Sequence, residues 1–232
     1  MARRARRGFA KTGLQAPLIM TRLIIVRHGQ SESNYARFYA AATNVNLTEL
    51  GRAQAEETAR YLKNIHIDIA YSSNLVRVVQ TAKPIVKGRN IEFIITDTLR
   101  EINGGGFDGI TYDEILEKYP YERGMWYNDI VNSYCPNGES LYDVYNRISP
   151  AFDDIIEKNR GKTVLIATHA CPIRVMTNKF LGKPFSELNS TPWASNASVT
   201  VVDVDDDNNY NVLQQSYDQH LVDAGLTITA NT

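Results

Sequence analysis

The chain has 232 residues, of which 43% are hydrophobic and 22% charged, a composition typical of one globular α/β domain. Its apolar runs are all far shorter than the roughly 20 residues that a membrane-spanning helix needs, so we expect no membrane partner. The only two cysteines, Cys135 and Cys171, are too few for a disulfide-stapled secreted scaffold and favour a cytoplasmic protein in which Cys171 is a buried spectator thiol.

Charge is distributed unevenly along the chain. Residues 1–19 contain no acidic residue and five basic ones: Arg3, Arg4, Arg6, Arg7 and Lys11. Removing these five from the 25 basic residues leaves 20 basic against 26 acidic groups in residues 20–232. An acidic body argues against nucleic acid as the partner. We interpret residues 1–19 as a disordered leader or added extension, with Met20 as the natural start, and residues 20–232 as a single domain.

Two short apolar runs each end near a histidine. Residues 23–26 are rich in β-branched side chains, which predicts a strand buried on both faces of a parallel sheet, and Arg27 and His28 follow directly. Residues 163–167 form a second run of this kind, which leads into His169. Ligands of open α/β sheets bind beyond the carboxyl ends of the strands, so we expect both histidines at one site.

The elements between these two strands alternate in type. In chain order we predict a helix or turn over 35–42, a helix capped by Thr48, a strand over 67–71, a helix capped by residues 72–74, and a strand over 91–95. The fourth element carries Arg77 in its first turn, where a cation opposes the helix dipole. A bound anion therefore explains Arg77 better than a solvated surface arginine does.

The middle of the chain is less regular. Three successive glycines at 104–106 predict a loop that needs unusual backbone angles or close approach. Thr111 and Glu114 form a capping box before the next helix. Residues 119–138 are aromatic and irregular in pattern, and they form either a lid or pocket wall or a satellite of the core.

The last third shows the clearest periodicity. An apolar stripe from Leu141 to Ile156 predicts a helix packed on the sheet. Pro172 is expected to open another helix, which Gly182 ends. Residues 198–204 and 210–217 predict a terminal hairpin around a polar turn. Together these elements predict a three-layer α/β/α fold with a mostly parallel central sheet.

One motif resembles a known family signature. Seven residues at the end of the first strand resemble the signature of the histidine phosphatase superfamily, which includes cofactor-dependent phosphoglycerate mutases and acid phosphatases: Arg27, His28, Gly29, Gln30, Ser31, Glu32 and Asn34. Further landmarks of that family follow in order as Arg77, Glu101 and His169, and the resemblance extends from about Thr21 to about Val202. It implies a phosphoglycerate mutase-like fold.

The resemblance also implies roles for these residues. His28 corresponds to the nucleophile that forms a phosphohistidine, and Glu101 to the proton donor that later acts as base toward water. The implied phosphate pocket consists of Arg27, Arg77 and a protonated His169. Further substrate-binding positions are assigned to Asn34, Gly29 and Ala170. No metal or other cofactor is implied.

Three functions share this site. The mutases carry paired arginines after a tryptophan, whereas Trp126 here is followed by Tyr127 and Asn128, and residues 109–140 hold only two cations, Lys118 and Arg123. These features favour a hydrolase of small phosphorylated metabolites over a phosphoglycerate mutase. A non-catalytic protein that binds phosphorylated ligands is the third hypothesis. The physiological substrate and a homodimeric state stay open.

Overall fold

A six-stranded sheet forms the centre of the computed structural model, which describes residues 20–227. Its strands are β1 (Thr21–Arg27), β2 (Ile69–Ser73), β3 (Glu92–Thr96), β4 (Thr163–Thr168), β5 (Val199–Val204) and β6 (Tyr210–Tyr217). Their order is β3-β2-β4-β1-β5-β6, and β5 is the one strand of this sheet that runs opposite to the other five. The predictions of a mostly parallel sheet and a terminal hairpin are confirmed. The predicted leader, residues 1–19, lies outside the described residues.

Helices cover both faces of this sheet. They are α1 (Glu32–Ala36), α2 (Glu49–Tyr61), α3 (Val76–Val86), α4 (Tyr112–Lys118), α5 (Pro120–Asn128), α6 (Leu141–Lys158), α7 (Ala170–Phe180) and α8 (Gln219–Asp223). Alternate residues of β1 point to opposite faces, so Leu23 and Ile25 pack in the core beneath α6 and α7, whereas Ile24 and Val26 pack beneath α2 and α3. Each such side chain contributes about 1.5–3 kcal/mol of burial free energy. This arrangement confirms the three-layer α/β/α prediction.

Local capping signals decided several helix starts. The Thr48 hydroxyl accepts the N–H of Gly51 at 3.0 Å, and Thr111 with Glu114 forms the predicted capping box of α4. A further capping box, formed by Ser140 and Asp143, begins the long helix α6.

The predicted cap of α3 is wrong. Its N-cap residue is Leu75, whose side chain forms no capping hydrogen bond. The free N–H of Val76 instead donates to the side-chain oxygen of Asn44 at 2.9 Å, across 32 positions of sequence. Ser73, one of the predicted capping residues, has its hydroxyl beside His169. A tertiary contact thus replaces the local cap.

Three other elements differ from the predictions. The helix α7 begins at Ala170, two residues before Pro172, because His169 is extended and acts as its N-cap. Pro172 is accommodated because the N–H groups of a helix's first turn need no intrahelical partner. The segment over 119–138 is not wholly irregular, since α5 occupies its first half, and α1 ends at Ala36, before most of the predicted 35–42 element.

The triple glycine has the backbone demand that its sequence predicted. Gly105 has φ of +49°, and a Cβ there would lie 2.2 Å from the carbonyl oxygen of Pro136. The N–H of Gly106 donates to the same oxygen at 2.7 Å. Two loops therefore meet backbone to backbone, which only glycine permits at this position. Among residues 20–227 no helix is both long and apolar enough to span a membrane.

Candidate active site

The register of β1 and β4 brings the two predicted histidines together. Arg27 at the end of β1 is paired with Thr168 at the end of β4, so His28 and His169 are each the next residue after a matched pair. The N–H of His28 donates to the carbonyl of Thr168 at 3.1 Å, and the two imidazole centroids lie 5.3 Å apart. The two histidines thus meet at the carboxyl edge of the sheet, where ligands of parallel sheets bind.

His28 is held with one ring nitrogen free. Its side chain is 4% exposed, and Nδ1 lies 2.8 Å from the carbonyl oxygen of Gly29. A carbonyl only accepts hydrogen bonds, so Nδ1 carries the proton and Nε2 keeps its lone pair. Burial, together with the charges of Arg77 and Arg27, holds the pKa of His28 well below its ordinary value. The ring is therefore a neutral base at physiological pH.

His169 is fully buried beside it. Its Nε2 lies 2.9 Å from the hydroxyl oxygen of Ser73, while Nδ1 has no hydrogen-bond partner among the described residues. Burial, then the charges of Arg77 and the neighbouring His28, lower the pKa of His169 well below its ordinary value. The prediction of a protonated His169 concerns the site with phosphate bound, and it stays a prediction. A phosphate dianion would offset the repulsion and favour the protonated ring.

Arg27 ends β1 with its charge largely removed from solvent. One terminal nitrogen donates to the carbonyl of Ala194 at 2.6 Å, while Nε is buried without a partner in the described structure. Burial lowers the pKa of Arg27, and the nearby Glu101 carboxylate partly opposes this. A guanidinium with an unused buried donor can bind an anion.

Arg77 approaches the site from the first turn of α3. Its terminal nitrogens donate to three carbonyls of one loop segment: Ala40 (3.0 Å), Ala41 (3.0 Å) and Thr43 (3.1 Å). Burial lowers the pKa of Arg77 to about 10, which leaves it charged at neutral pH. The residue is 1% exposed, so it is not the solvated surface arginine that was the alternative.

Asp108 binds the backbone N–H groups of the same loop segment whose carbonyls bind Arg77. Its carboxylate accepts three backbone N–H groups: Ala41 (2.7 Å), Thr43 (3.1 Å) and Ala42 (3.2 Å). Residues 40–43 are therefore fixed between a guanidinium and a carboxylate. Sequence analysis missed this role of Asp108 because the partners lie more than 60 positions away.

Glu101 lies at the start of α7. One carboxylate oxygen accepts the N–H of Ala170 at 3.1 Å, and the other accepts those of Cys171 at 3.2 Å and Ile102 at 2.9 Å. Free N–H groups at a helix start attract a carboxylate, which fixes the position of this side chain.

Burial raises the pKa of the Cys171 thiol well above its ordinary value, so the thiol stays protonated, as a spectator does.

Comparison with known proteins shows which family the chain belongs to. A sequence profile of the histidine phosphatase superfamily (branch 1) matches residues 23–216. The chain belongs to the histidine phosphatase superfamily. Phosphoserine phosphatase 1 of Hydrogenobacter thermophilus is 34% identical over 190 residues, which are 82% of this chain and 90% of that protein.

A mutase and a solved structure of this superfamily are also similar. A 2,3-bisphosphoglycerate-dependent phosphoglycerate mutase of Bartonella henselae is 33% identical over 180 residues, 75% of this chain and 87% of the mutase. The structure of Bacillus stearothermophilus YhfR superposes with a TM-score of 0.82 at 29% identity, covering 87% of this chain and 99% of that one. The predicted family and phosphoglycerate mutase-like fold are confirmed, and so is a phosphatase of this superfamily as the function class.

The three predicted substrate-binding positions are close to the histidines but engaged in other contacts. The side-chain oxygen of Asn34 accepts the N–H and hydroxyl of Ser31 at 3.0 and 2.9 Å, which closes a capping box at α1. The N–H of Gly29 donates to the hydroxyl of Thr81 at 3.0 Å, and that of Ala170 to Glu101. Their contacts with a substrate stay predictions for this histidine phosphatase.

Gly29 has a second, steric requirement. A Cβ at this position would lie 2.5 Å from the carbonyl oxygen of Gly51 in α2. The loop that follows His28 therefore packs directly on a helix backbone, which explains the glycine after His28 without any ligand.

Asn196 is a site residue that the sequence did not indicate. Its side-chain N–H group donates to the carbonyl of His28 at 3.0 Å and to the oxygen of Asn34 at 3.2 Å. The next residue, Ala197, has φ of +56° and donates its N–H to the carbonyls of Arg27 and His28. The loop of Asn196 and Ala197 thus holds the backbone at His28, and it has no periodicity or motif that would have indicated this role.

The aromatic segment over residues 119–138 packs in part on the core, whereas its alternative role as a lid or pocket wall stays a prediction. Tyr119 and Trp126 pack against the main core, whereas Tyr121 and Tyr127 are 69% and 70% exposed. The guanidinium of Arg123 lies 4.4 Å from the Tyr127 ring centroid.

Within residues 20–227, no group of three or more His, Cys, Asp or Glu side chains could hold a metal ion.

Proposed function

We propose that this protein hydrolyses phosphomonoesters through a covalent phosphohistidine on His28. The observation that carries the proposal is the hydrogen bond from Nδ1 of His28 to the Gly29 carbonyl, which leaves Nε2 as a neutral nucleophile. Burial and two neighbouring guanidinium groups keep that nitrogen unprotonated, because they lower the pKa of His28.

The proposed reaction has two steps. In the first, Nε2 of His28 bonds to phosphorus, the bond from phosphorus to the ester oxygen breaks, and Glu101 gives that oxygen its proton. In the second, Glu101 takes a proton from water, the hydroxide oxygen bonds to phosphorus, and the bond to His28 breaks. Arg27, Arg77 and His169 stabilise the equatorial oxygens throughout.

Hydrolysis rather than mutase activity is supported by the cations of residues 109–140. Lys118 lies 3.5 Å from the carboxylate of Glu114, and Arg123 stacks on Tyr127. Residues 109–140 thus offer only two cations, one of them in an exposed ion pair, which is little charge to anchor a second anionic group. The mutase stays the alternative because a mutase is among the similar proteins.

The substrate class that we propose is a small phosphorylated metabolite. Phosphoserine is the first compound to test, because a similar protein is a phosphoserine phosphatase. Turnover should be measured over a panel of sugar, amino-acid and nucleotide monoesters. Isomerisation of phosphoglycerate should be followed in the same samples, and isomerisation faster than phosphate release would replace this proposal with the mutase.

The covalent intermediate has a direct test. Wild-type protein mixed with labelled substrate and quenched rapidly in alkali should retain phosphate on His28, because phosphohistidine survives base. The His28→Ala variant should retain no label and lose turnover. Label on a serine or cysteine would contradict the proposal, and an unlabelled protein without turnover of p-nitrophenyl phosphate would favour the non-catalytic hypothesis.

The proposal also includes a cytoplasmic location and a small molecule, not nucleic acid, as the partner. Two free thiols, Cys135 and Cys171, are consistent with a reducing cytoplasm, and the acidic body favours a small substrate over nucleic acid. Cell fractionation tests the first statement. Light scattering of the purified chain tests the homodimer that the sequence left open.

A further inference from the structure

A buried ion pair lies behind the backbone of Glu101. Arg147, in α6, directs Nε and Nη2 at the two carboxylate oxygens of Glu139, at 2.9 and 3.0 Å. The side chains are 16% and 17% exposed, and the two planar groups meet as a fork. Burial is the largest single effect and opposes ionisation of Glu139, but the hydrogen bonds from Arg147 and Asn103 and the nearby arginine charges together outweigh it, so the pKa of Glu139 is lowered.

The arginine holds the chain that leads into Glu101. Its terminal nitrogens donate to three backbone carbonyls: Thr98 (3.3 Å), Arg100 (3.2 Å) and Glu101 (3.2 Å). These contacts fix the carbonyl side of the residue that carries the carboxylate. A single point charge cannot make them all, because they need the planar fork of a guanidinium.

The glutamate holds the chain that leaves Glu101. Its second oxygen accepts the N–H of Asn103 at 2.7 Å, and its own N–H donates to the carbonyl of Asn103 at 2.9 Å. The backbone is therefore held on both sides of Glu101 by one ion pair, while the carboxylate itself rests on the first turn of α7. Main chain and side chain are fixed by different helices.

We propose that Arg147 and Glu139 are a positioning pair that aims the Glu101 carboxylate for proton transfer. The proposal rests on the role of Glu101 in the proposed function. An ion pair that is largely buried gains little net stability over apolar residues of the same size, whereas misplacing a catalytic acid by about 1 Å lowers its rate strongly. Positioning is therefore the advantage that this pair supplies.

Two substitutions test the pair without removing its bulk. Glu139→Gln keeps the shape but cannot accept from both Arg147 and Asn103 through two oxygens. Arg147→Lys removes the planar guanidinium but keeps the positive charge. Keeping the charge matters because the charge of Arg147 contributes to the lowered pKa of His169. Effects shared by both variants therefore report geometry rather than charge.

The measurement is kcat/KM on two substrates, phosphoserine and p-nitrophenyl phosphate. The ratio kcat/KM reports the step in which the leaving group departs, and only the serine alkoxide needs a proton there. Both variants should lose about tenfold or more on phosphoserine and less than about threefold on p-nitrophenyl phosphate, since general acids contribute about 10²–10⁴.

A matched control is Arg160→Lys. Arg160 also pairs with a glutamate, Glu157, and donates to a backbone carbonyl, that of Asp205, but it lies just before β4, at the opposite edge of the sheet. This variant should leave the ratio of the two kcat/KM values unchanged. Thermal unfolding of all variants shows whether any of them has lost stability.

Each outcome decides between the proposals. An equal loss on both substrates, or no loss on either, would overturn the positioning role even if stability falls. The variant Glu101→Gln tests separately whether Glu101 is the general acid. An equal loss of kcat/KM on both substrates in that variant would show that Glu101 is not the acid. In the double variant Glu101→Gln/Arg147→Lys, the loss on phosphoserine should not exceed that of Glu101→Gln alone.

Discussion

The hydroxyl oxygen of Ser73 lies 2.9 Å from Nε2 of His169, so the last residue of β2 holds the histidine that follows β4. The register that pairs Ser72 with Ala167 puts the two side chains at the same edge of the sheet. This contact leaves Nδ1 as the free polar atom of the ring.

Ser73→Ala should therefore weaken phosphate binding in the transition state. Loss of one hydrogen bond to a histidine that becomes charged corresponds to about 1.5–3 kcal/mol, or about 10- to 100-fold in kcat/KM. Steady-state kinetics with p-nitrophenyl phosphate measures it. Ser133→Ala, which also removes one buried hydroxyl, one that donates to the carbonyl of Ile130, is the control and should change little. Equal losses in the two variants would mean that the Ser73 contact is only structural.

Glu101→Gln should slow substrates with poor leaving groups selectively. On phosphoserine we expect a loss of about 10²–10⁴ in kcat/KM, with a much smaller loss on p-nitrophenyl phosphate. The reason is that p-nitrophenolate leaves without a proton. If both substrates slow equally, the acid is another group, and Glu32 and Asp108 become the candidates.

Activity should be insensitive to metal chelation. Arg27, Arg77 and His169 supply the positive charge that Mg²⁺ supplies in many other phosphoryl-transfer enzymes. Turnover of p-nitrophenyl phosphate before and after dialysis against EDTA measures this. Activity that is lost on dialysis and restored by added Mg²⁺ would contradict the expectation.

Stability should decrease when the pH falls below about 6.5. Burial lowers the pKa values of His28 and His169 in the folded protein, so below the ordinary value the unfolded chain binds more protons than the folded one. Their contribution is complete above that pH and is lost on acidification, by about 1.4 kcal/mol per pH unit for each histidine.

Urea unfolding at several pH values measures this slope. The variants His28→Ala and His169→Ala should each show a shallower dependence than the wild type. His66→Gln is the control, because the ring of His66 is exposed in the folded protein. An unchanged slope in both variants would show that folding does not lower the pKa values of these histidines.

Asp108→Asn should destabilise the loop over residues 40–43. A carboxylate that accepts three N–H groups is replaced by an amide with one acceptor oxygen, for which we expect a loss of about 2 kcal/mol in the free energy of unfolding. Chemical denaturation measures the loss. Asp129→Asn is a suitable comparison, because the Asp129 carboxylate accepts from the exposed amide of Asn132 and should contribute much less.

The sequence by itself determined the strands, most of the helices and the superfamily. Buried strands such as residues 163–167 consist of apolar side chains that are stabilised mainly by burial. Their pattern can therefore be recognised in the sequence before the fold is known. Capping at Thr48 and Thr111 is equally local, since each hydroxyl bonds a backbone N–H three residues on. Arg27, His28, Arg77, Glu101 and His169 were identified because each stands in a motif or at the end of a predicted element.

Only the tertiary structure decided how those residues are held. Ser73 reaches His169 across 96 positions, Asn44 caps α3 from a distant loop, and Asn196 supports His28 across 168 positions. Hydrogen bonds of this kind depend on which loops the packed sheet brings together, and no periodicity in the chain records them. The lowered pKa of His169 belongs to the tertiary structure for the same reason, because the burial and the neighbouring guanidinium groups that lower it exist only in the folded protein.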